Sequence, residues 1–194
     1  GRSMRDRIFS EIPEDWRIAY EAGLFTEFME QRAPGHTALD GTIYTMGMVD
    51  FKERIAERIS RLDYQNDPEA SDKAEQLQAM AISCDAAIIF AERHAELAES
   101  MAAKEEEPAR RAELKKISEI CRRVPAEAPR TFWEALQYYW FVHVGVITEL
   151  NPWDAFNPGR LDQHLYPFYE ADLAAGRLTR ERARELLAAF WVKF

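Results

Sequence analysis

Apolar residues recur at helical spacing along most of the chain, which predicts a mainly α-helical fold. The first helix is predicted to begin after Pro13 and to end at the turn formed by Pro34 and Gly35. Proline disfavours a helical conformation in the residue before it, and glycine permits a left-handed turn. Residues 36–48 are then predicted to form a loop, with a short extended piece around Thr42–Tyr44.

Three further helices are predicted in the middle of the chain. The first covers residues 49–62. The second is long and covers residues 67–104, with Asp67 as an N-cap acceptor and Pro68 at the first helical position. The third begins at Pro108, and its inward positions are Leu114, Ile117, Ile120 and Cys121.

The aromatic segment at residues 130–148 follows a linker, residues 124–129, that contains two prolines. Its side chains are apolar on most sides, which is typical of a buried helix. The part after Val142 also fits a buried strand, and the hydrophobic pattern leaves both interpretations open.

Two more helices are predicted after an irregular loop at residues 149–159. One covers residues 160–174 and bends at Pro167, with Gly176 as its C-cap. Thr179 caps the last helix, whose aromatic face continues up to Phe194, the last residue of the sequence. Because chain termini are usually solvated, we interpret the sequence as a fragment of a longer protein.

Charge and composition narrow the classes of function. The 194 residues carry a formal net charge of -9, and the basic residues that follow Pro108 come directly after three glutamates. We therefore expect no nucleic-acid binding. The sequence has neither a membrane-length apolar run nor a secretory signal, so we expect a cytoplasmic protein whose two cysteines are free thiols.

Common catalytic motifs are missing from the sequence. The four histidines stand at no metal-ligand spacing, and no metal site is predicted. Neither a phosphate-binding glycine loop nor a nucleophile-elbow motif occurs. Cys84 has no neighbouring cation, whereas Cys121 precedes Arg122 and Arg123, which would favour a thiolate. Both cysteines are nevertheless predicted to be core thiols.

The loop at residues 30–37 is the first candidate for a functional site. It combines an amide (Gln31), a guanidinium (Arg32) and an imidazole (His36) on a Pro-Gly turn that follows a helix. The alternative interpretation is structural: the turn ends the helix, and Arg32 contacts the last helical carbonyls.

The loop at residues 148–160 is the second candidate. Asp154 and Asn157 lie beside aromatic residues that include Trp153, a composition typical of small-molecule pockets. The structural alternative is that Asn157 caps the next helix, with Pro158 at the first helical position and Arg160 paired with Asp154.

Three stretches of the sequence carry longer motifs. They are residues 27–37 (EFMEQRAPGHT), 128–137 (APRTFWEALQ) and 157–169 (NPGRLDQHLYPFY). Together with the ending ELLAAFWVKF at residues 185–194, they resemble the N-terminal half of glycyl radical enzymes of the pyruvate formate-lyase-like group. The resemblance covers nearly the whole chain, and the PGRxDQ-x2-YPFY pattern is its most specific part.

This resemblance implies a fold and a chemistry. The chain, residues 1–194, would be a partial pyruvate formate-lyase-like domain: mainly α itself, and part of an α/β ten-stranded barrel wrapped by helices. Two antiparallel half-barrels would enclose a dry site that excludes water and oxygen. In such enzymes a backbone glycyl radical oxidises a cysteine to a thiyl radical. The thiyl radical abstracts a substrate hydrogen atom, and the substrate radical then loses a leaving group or rearranges.

The resemblance also assigns site residues. The residues that match the substrate-orienting loops are Gln31, His36, Trp153, Asp154 and Asn157, with Arg32 and Arg160 as supporting residues. The family's GCxE-type cysteine loop and RVxGY-like glycine motif do not occur in this sequence, so no catalytic residue is predicted in it and the chain alone is expected to be inactive. The glycyl radical would lie on a missing C-terminal segment, installed by an activating enzyme that uses S-adenosylmethionine and an iron–sulfur cluster.

We therefore interpret the chain as part of an anaerobic radical lyase or dehydratase that cleaves a C–X bond in a small polar substrate. The candidate leaving groups are water, an amine and sulfite. His36 would hydrogen-bond a substrate hydroxyl or the departing group. Asp154 favours a cationic or hydroxylated substrate, such as a diol or amino alcohol, and would disfavour a sulfonate or a carboxylate.

Alternative functions stay open on the sequence alone. Within the same family they are an aryl-acetate decarboxylase and a formate acetyltransferase. From another class, the alternative is a non-catalytic helical scaffold or interaction domain. The partners that the resemblance implies are a small-molecule substrate, the activating enzyme, the remainder of the polypeptide and a second copy in a homodimer.

Overall fold

The computed structural model describes residues 4–24, 36–37, 41–149 and 156–193. The helices in these residues are α1 (Met4–Glu11), α2 (Glu14–Glu21), α3 (Met48–Ser60), α4 (Ala70–Lys104), α5 (Pro108–Arg123), α6 (Phe132–Glu149), α7 (Leu161–Ala174) and α8 (Arg180–Trp191). A 3₁₀ turn covers Thr42–Tyr44, and two very short strands are β1 (His36–Thr37) and β2 (Phe156–Asn157).

The chain divides into two compact units. The first comprises Gly1–Asp40 and Val142–Gly159, and the second comprises Gly41–Phe141 and Arg160–Phe194. The aromatic helix α6 begins in the second unit and ends in the first.

An aromatic cluster joins α1 and α2 in the first unit. Trp16 and Tyr20 are four residues apart on α2, and their rings stack with centroids 5.5 Å apart. The ring of Phe9, on α1, meets both edge-on. The helix ends at Glu21, earlier than the predicted end at the Pro34-Gly35 turn, because Gly23 adopts a left-handed conformation with φ 73°. Residues 25–35 lie outside the described residues.

The long helix α4 and helix α5 form a hairpin in the second unit. Ala91 and Ala95 of α4 are buried with Cys121 of α5 and Phe141 of α6 in one core cluster. Small side chains on α4 let the helices approach closely, and the Ser118 hydroxyl donates a buried hydrogen bond to the Ala95 carbonyl at 2.9 Å. The hairpin is therefore held by close packing, by this hydrogen bond and by an ion pair between Arg122 of α5 and Glu99 of α4.

The hairpin ends follow the predicted signals closely. Helix α4 ends at Lys104, and α5 begins at Pro108 after Glu107, whose carboxylate accepts the backbone N–H of Ala109 at 2.9 Å. The start of α4 is later than predicted: Asp67 accepts the N–H of Glu69 in a preceding turn, and the helix begins at Ala70.

The linker between α5 and α6 packs against the start of α3. The backbone N–H groups of Met48 and Val49 donate to the carbonyls of Pro125 and Ala126 at 2.8 and 3.0 Å. This contact requires glycine at position 47, because a Cβ there would lie 2.2 Å from the Ala126 carbonyl oxygen. The linker is thus a docking surface for α3 as well as a connection.

Helix α6 is continuous to Glu149, so the helical interpretation of this segment is confirmed and the strand alternative is wrong. Its burial on several sides agrees with the aromatic pattern: Phe132, Ala135, Leu136, Tyr138, Tyr139, Phe141, Val142 and His143 are all buried. The Tyr138 hydroxyl donates to the Met46 carbonyl at 3.0 Å.

The remaining predicted signals have mixed outcomes. Helix α7 continues through Pro167, Gly176 follows it with φ 67°, and the Thr179 hydroxyl caps α8 by accepting the N–H of Arg182 at 3.1 Å. The predicted extended piece at Thr42–Tyr44 is wrong, since these residues form a 3₁₀ turn in which Ile43 and Tyr44 are buried.

The mainly α character of the chain is confirmed, and the only β pairing in the described part of the chain joins two strands of two residues each. The ten-stranded barrel and the assignment of residues 1–194 to a partial domain of that barrel stay predictions. Within the described residues, no helix is both long and apolar enough to span a membrane.

Candidate functional site

The two candidate loops meet at a short parallel β bridge in the first unit. His36 of β1 is opposite Phe156 of β2, and Thr37 is opposite Asn157. Residues far apart in the sequence are thereby fixed side by side through their backbones. The bridge brings together one predicted substrate-orienting residue from each loop, His36 and Asn157.

The predicted residues that flank the bridge are not described by the structure. Gln31, Arg32, Trp153 and Asp154 lie outside the described residues, as does the side chain of His36. The substrate-orienting roles of these residues and of Asn157 stay predictions.

The structure describes the turn that leads from β2 into α7. The Asn157 side-chain oxygen accepts the N–H of Gly159 at 2.8 Å, and Gly159 adopts a left-handed conformation with φ 61°. Helix α7 begins at Leu161 after Arg160, so Asn157 closes a turn before the helix and is not its N-cap. The Arg160 guanidinium contacts the Gln163 side chain at 3.4 Å.

A stacked pair of rings lies in the second unit, on the segments that follow the two strands in sequence. The rings of Tyr44 and His164 are nearly parallel, with centroids 5.0 Å apart and an interplanar angle of 20°. The ring of Phe168, one turn further along α7, is tilted relative to that of Tyr44, and the two ring centroids are 6.3 Å apart. Gly41 lies against the imidazole, since a Cβ there would be 3.0 Å from His164 Cε1.

Tyr44 is buried, yet its hydroxyl has no hydrogen-bond partner among the described residues. The residue is 7% exposed, and its backbone N–H donates to the Gly41 carbonyl at 3.2 Å. Burial raises the pKa of the phenol well above its ordinary value, so the group stays protonated at neutral pH. The sequence analysis missed Tyr44 and His164 as an interacting pair, although His164 lies in the motif NPGRLDQHLYPFY.

The two cysteines have the environment of core residues. Both are buried, and burial raises the pKa of Cys121 to about 11 despite the neighbouring arginines. Burial also raises the pKa of Cys84, with a smaller contribution from the Asp85 carboxylate. Both thiols are therefore protonated at neutral pH, which is unsuitable for a nucleophile.

His143 is a buried histidine of α6. Burial lowers the pKa of His143, which favours its neutral form. Within the part of the chain that the structure describes, no group of three or more His, Cys, Asp or Glu side chains is placed to hold a metal ion.

A groove of about 560 Å³ lies between α7 and α8 on the second unit. Its walls are mainly apolar and include Leu161, Leu165 and Leu187, while Tyr166 and Trp191 at its edge are about half exposed. This groove was not predicted from the sequence, although the aromatic residues at the end of the last helix indicated an apolar surface there. A mainly apolar groove is typical of a surface that packs against another segment of protein.

Comparison with known proteins gives consistent results across the whole chain. A family model described as pyruvate formate lyase-like matches residues 1–194. The chain is 54% identical over 193 residues to trans-4-hydroxy-L-proline dehydratase from Clostridioides difficile, covering all of this chain and 24% of that protein. It is 44% identical over 146 residues to isethionate sulfite-lyase from Nitratidesulfovibrio vulgaris, covering 75% of this chain and 18% of that protein.

The fold agrees with a solved structure of a relative. The crystal structure of hydroxyproline dehydratase from Clostridioides difficile with trans-4-hydroxy-L-proline bound superposes with a TM-score of 0.82 and 55% identity, over 98% of this chain and 24% of that one. The chain thus spans about a quarter of the length of the relatives it matches. It belongs to the pyruvate formate lyase-like family of glycyl radical enzymes, as its three sequence motifs predicted.

Proposed function

We propose that the full-length protein is a glycyl radical dehydratase that removes water from trans-4-hydroxy-L-proline. The observation that carries this proposal is the 54% identity to trans-4-hydroxy-L-proline dehydratase over 193 residues, a match that includes both candidate loops. The similarity to isethionate sulfite-lyase is lower and covers 146 residues. The pairing of β1 with β2 supports the proposal, because it gives the two loops a common backbone frame.

The chemistry of this substrate fits the predicted site residues. Hydroxyproline carries a hydroxyl leaving group and, at neutral pH, a cationic ring nitrogen. His36 is suited to hydrogen-bond the hydroxyl and to assist its departure as water. Asp154 is suited to attract the cationic amine, and it would disfavour a sulfonate or a carboxylate placed at the same position, so the carboxylate of hydroxyproline would have to lie away from it.

The residues of this chain act in the proposal by binding and orientation. The glycyl radical and the cysteine that removes a hydrogen atom from substrate would be supplied by the remainder of the polypeptide. Over a full cycle that hydrogen atom is returned, so the net change is the loss of one water molecule. Gln31, Trp153 and Asn157 would hold the substrate so that only one C–H bond faces the radical, with Arg32 and Arg160 in support.

The remaining expectations belong to the same proposal. The protein would act anaerobically in the cytoplasm, as a homodimer, after activation by an enzyme that uses S-adenosylmethionine and an iron–sulfur cluster. Residues 1–194 alone would show no turnover under activating conditions, because the cysteine and glycine motifs of the family do not occur in them.

The test is anaerobic activation of the full-length protein, followed by incubation with separate candidate substrates. These are trans-4-hydroxy-L-proline, its cis-4 isomer, propane-1,2-diol, isethionate and an aryl acetate. We expect consumption of the trans isomer and formation of a product lighter by one water molecule. Release of sulfite from isethionate, or decarboxylation of the aryl acetate, with hydroxyproline untouched would overturn the proposal.

Variants in the two loops test the site assignment. His36→Ala and Asp154→Ala are expected to lower kcat/KM strongly, while the glycyl radical content per protomer stays at the wild-type level. His94→Ala is a matched control, because His94 is an exposed histidine on α4, outside both loops. Wild-type turnover in both loop variants would show that the assignment is wrong.

A further inference from the structure

We propose that the groove between α7 and α8 binds an amphipathic helix of the same polypeptide, from outside residues 1–194, with the acidic edge of that helix against α8. The proposal rests on the proposed function only in taking this chain as part of a longer enzyme. All the residues that carry it lie in the second compact unit, so it depends on contacts within one unit.

The groove has the length and the apolar lining of a helix-binding surface. Three of its lining residues are almost fully buried: Phe132, Leu165 and Ala183. The lining extends from Leu161 to Tyr169 on α7 and from Arg180 to Trp191 on α8. At 1.5 Å per residue these segments are about 12 and 16 Å long, which matches about two to three turns of a third helix.

The edge of the groove exposes residue types that are typical of protein interfaces. Tyr166 of α7 is 57% exposed and Trp191 of α8 is 51% exposed, and the exposed Arg184 lies on the same surface. Tryptophan, tyrosine and arginine are the residues that most often dominate the binding energy of an interface. Their exposure around an apolar groove indicates a surface that is covered by protein in the full-length enzyme.

The two sides of the groove carry opposite charges. Arg180 and Arg184 are one turn apart on α8, whereas Asp162 lies on the first turn of α7. Within the described ranges, none of these three side chains forms an ion pair or a hydrogen bond. By contrast, Arg182 on the same helix binds the Glu113 carboxylate at 3.3 Å. A helix with acidic residues along one edge and basic residues along the other would complement both sides.

The occupant that these features favour is another segment of the same polypeptide. The chain spans about a quarter of the length of the relatives it matches, so about three quarters of the proposed full-length enzyme lies outside it. A second copy bound through the same surface is disfavoured, because an isologous contact joins a surface to itself and a concave groove is not complementary to itself.

Photo-crosslinking in the purified full-length protein identifies the occupant. Tyr166 is replaced by the photoreactive amino acid p-benzoyl-L-phenylalanine, the protein is irradiated, and the cross-linked peptides are identified by mass spectrometry. Tyr64 is the matched control site, because it is a tyrosine of almost equal exposure, 58%, in a turn after α3 that does not line the groove.

We expect position 166 to cross-link, within one polypeptide, to a peptide from outside residues 1–194 whose sequence predicts an amphipathic helix. Position 64 should not cross-link to that peptide. A cross-link from position 166 to a second copy, a cross-link only to residues within 1–194, or no cross-link at all would overturn the proposal.

Charge variants on α8 test the orientation of the occupant. Arg184→Glu reverses one charge on the basic side, Arg184→Lys keeps it, and Arg93→Glu is a control at an exposed position of α4. Hydrogen exchange is measured in residues 161–169, which lie on the other helix. We expect Arg184→Glu to raise the exchange rate there by about 2- to 5-fold, as the loss of an exposed ion pair implies, and the other two variants to match the wild type.

Wild-type exchange in Arg184→Glu, or an equal increase in Arg184→Lys, would contradict the charge pairing and overturn the proposal. Neither measurement uses turnover. If the enzyme does not consume hydroxyproline, the proposed function fails, and the cross-links and exchange rates still decide what the groove binds.

Discussion

The buried carboxylate of Asp172, on α7, accepts a hydrogen bond from the backbone N–H of Phe132 at 2.8 Å, and so caps the first turn of α6 from another helix. Asp172 is 3% exposed, and its other oxygen accepts from the Arg177 guanidinium at 2.9 Å. A helix N-terminus presents N–H groups that lack partners within the helix. Here a carboxylate distant in sequence supplies one of those partners.

This contact predicts that Asp172→Ala destabilises the start of α6. The substitution leaves the Phe132 N–H and one side of Arg177 without their acceptor, which should cost about 1–3 kcal/mol. Hydrogen exchange of the first turn of α6 in the full-length protein measures this loss. Asp162→Ala, at an exposed position of the same helix, should leave that exchange unchanged. Equal rates in the two variants would contradict the proposed cap.

Replacing glycine with alanine should lower the free energy of unfolding at position 47 and raise it at position 145. At Gly47 a Cβ would lie 2.2 Å from the Ala126 carbonyl oxygen, so Gly47→Ala must displace the linker and should cost about 1–3 kcal/mol. At Gly145, inside α6, a Cβ would have no neighbour within 4 Å, and Gly145→Ala should stabilise by about 0.5–1 kcal/mol. The midpoint of thermal unfolding, measured for both variants of the full-length protein, tests this difference. A lower midpoint for Gly145→Ala than for Gly47→Ala would contradict the packing at Gly47.

Two buried tyrosines differ in whether their hydroxyls have a hydrogen-bond partner among the described residues. The Tyr138 hydroxyl donates to the Met46 carbonyl at 3.0 Å, so Tyr138→Phe should cost about 1 kcal/mol. The Tyr44 hydroxyl has no partner among the described residues, so Tyr44→Phe should leave stability unchanged or raise it. Denaturant unfolding of the full-length variants gives the comparison. A large loss in Tyr44→Phe would show that another part of the polypeptide binds this hydroxyl.

Stability should fall at alkaline pH because three tyrosines are buried in their neutral form. Burial raises the pKa of Tyr44, Tyr138 and Tyr139 above the ordinary value of 10.0. Above pH 10 the unfolded chain therefore loses protons that the folded chain retains, and unfolding becomes more favourable. The expected slope is about 1.4 kcal/mol per pH unit for each buried tyrosine.

Phenolate absorbance measured during alkaline titration tests this. The buried tyrosines should ionise only together with loss of helical circular dichroism. Stability that stays constant as the pH rises above 10 would contradict the predicted linkage.

The helix ends that were predicted correctly have local chemical signals. Helix α5 begins at Pro108 because Glu107 accepts N–H groups of its own first turn, and that signal needs no knowledge of the fold. Gly176 and Thr179 are similar, since each acts within a few residues of its own position. Local signals of this kind can be read directly from one sequence.

The incorrect predictions depended on distant contacts or weak patterns. Thr42–Tyr44 contains residues that favour strands, but burial of Ile43 and Tyr44 selects a 3₁₀ turn. Helix α1 is mostly polar and gave no clear hydrophobic pattern, so it was missed. In the site, the resemblance indicated both loops, but the register of His36 opposite Phe156 depends on tertiary structure.

The separation of Phe132 from Asp172 by 40 residues also has a consequence during translation. The ribosome releases α4 and α5 before α6 and α7. Because the contact between Ser118 and Ala95 joins neighbouring segments, this hairpin can close while synthesis continues. The first turn of the aromatic helix has to wait for its carboxylate acceptor until the polypeptide has grown through α7. Until then, the first turn of α6 in a nascent chain lacks the acceptor that the folded protein gives to the Phe132 N–H.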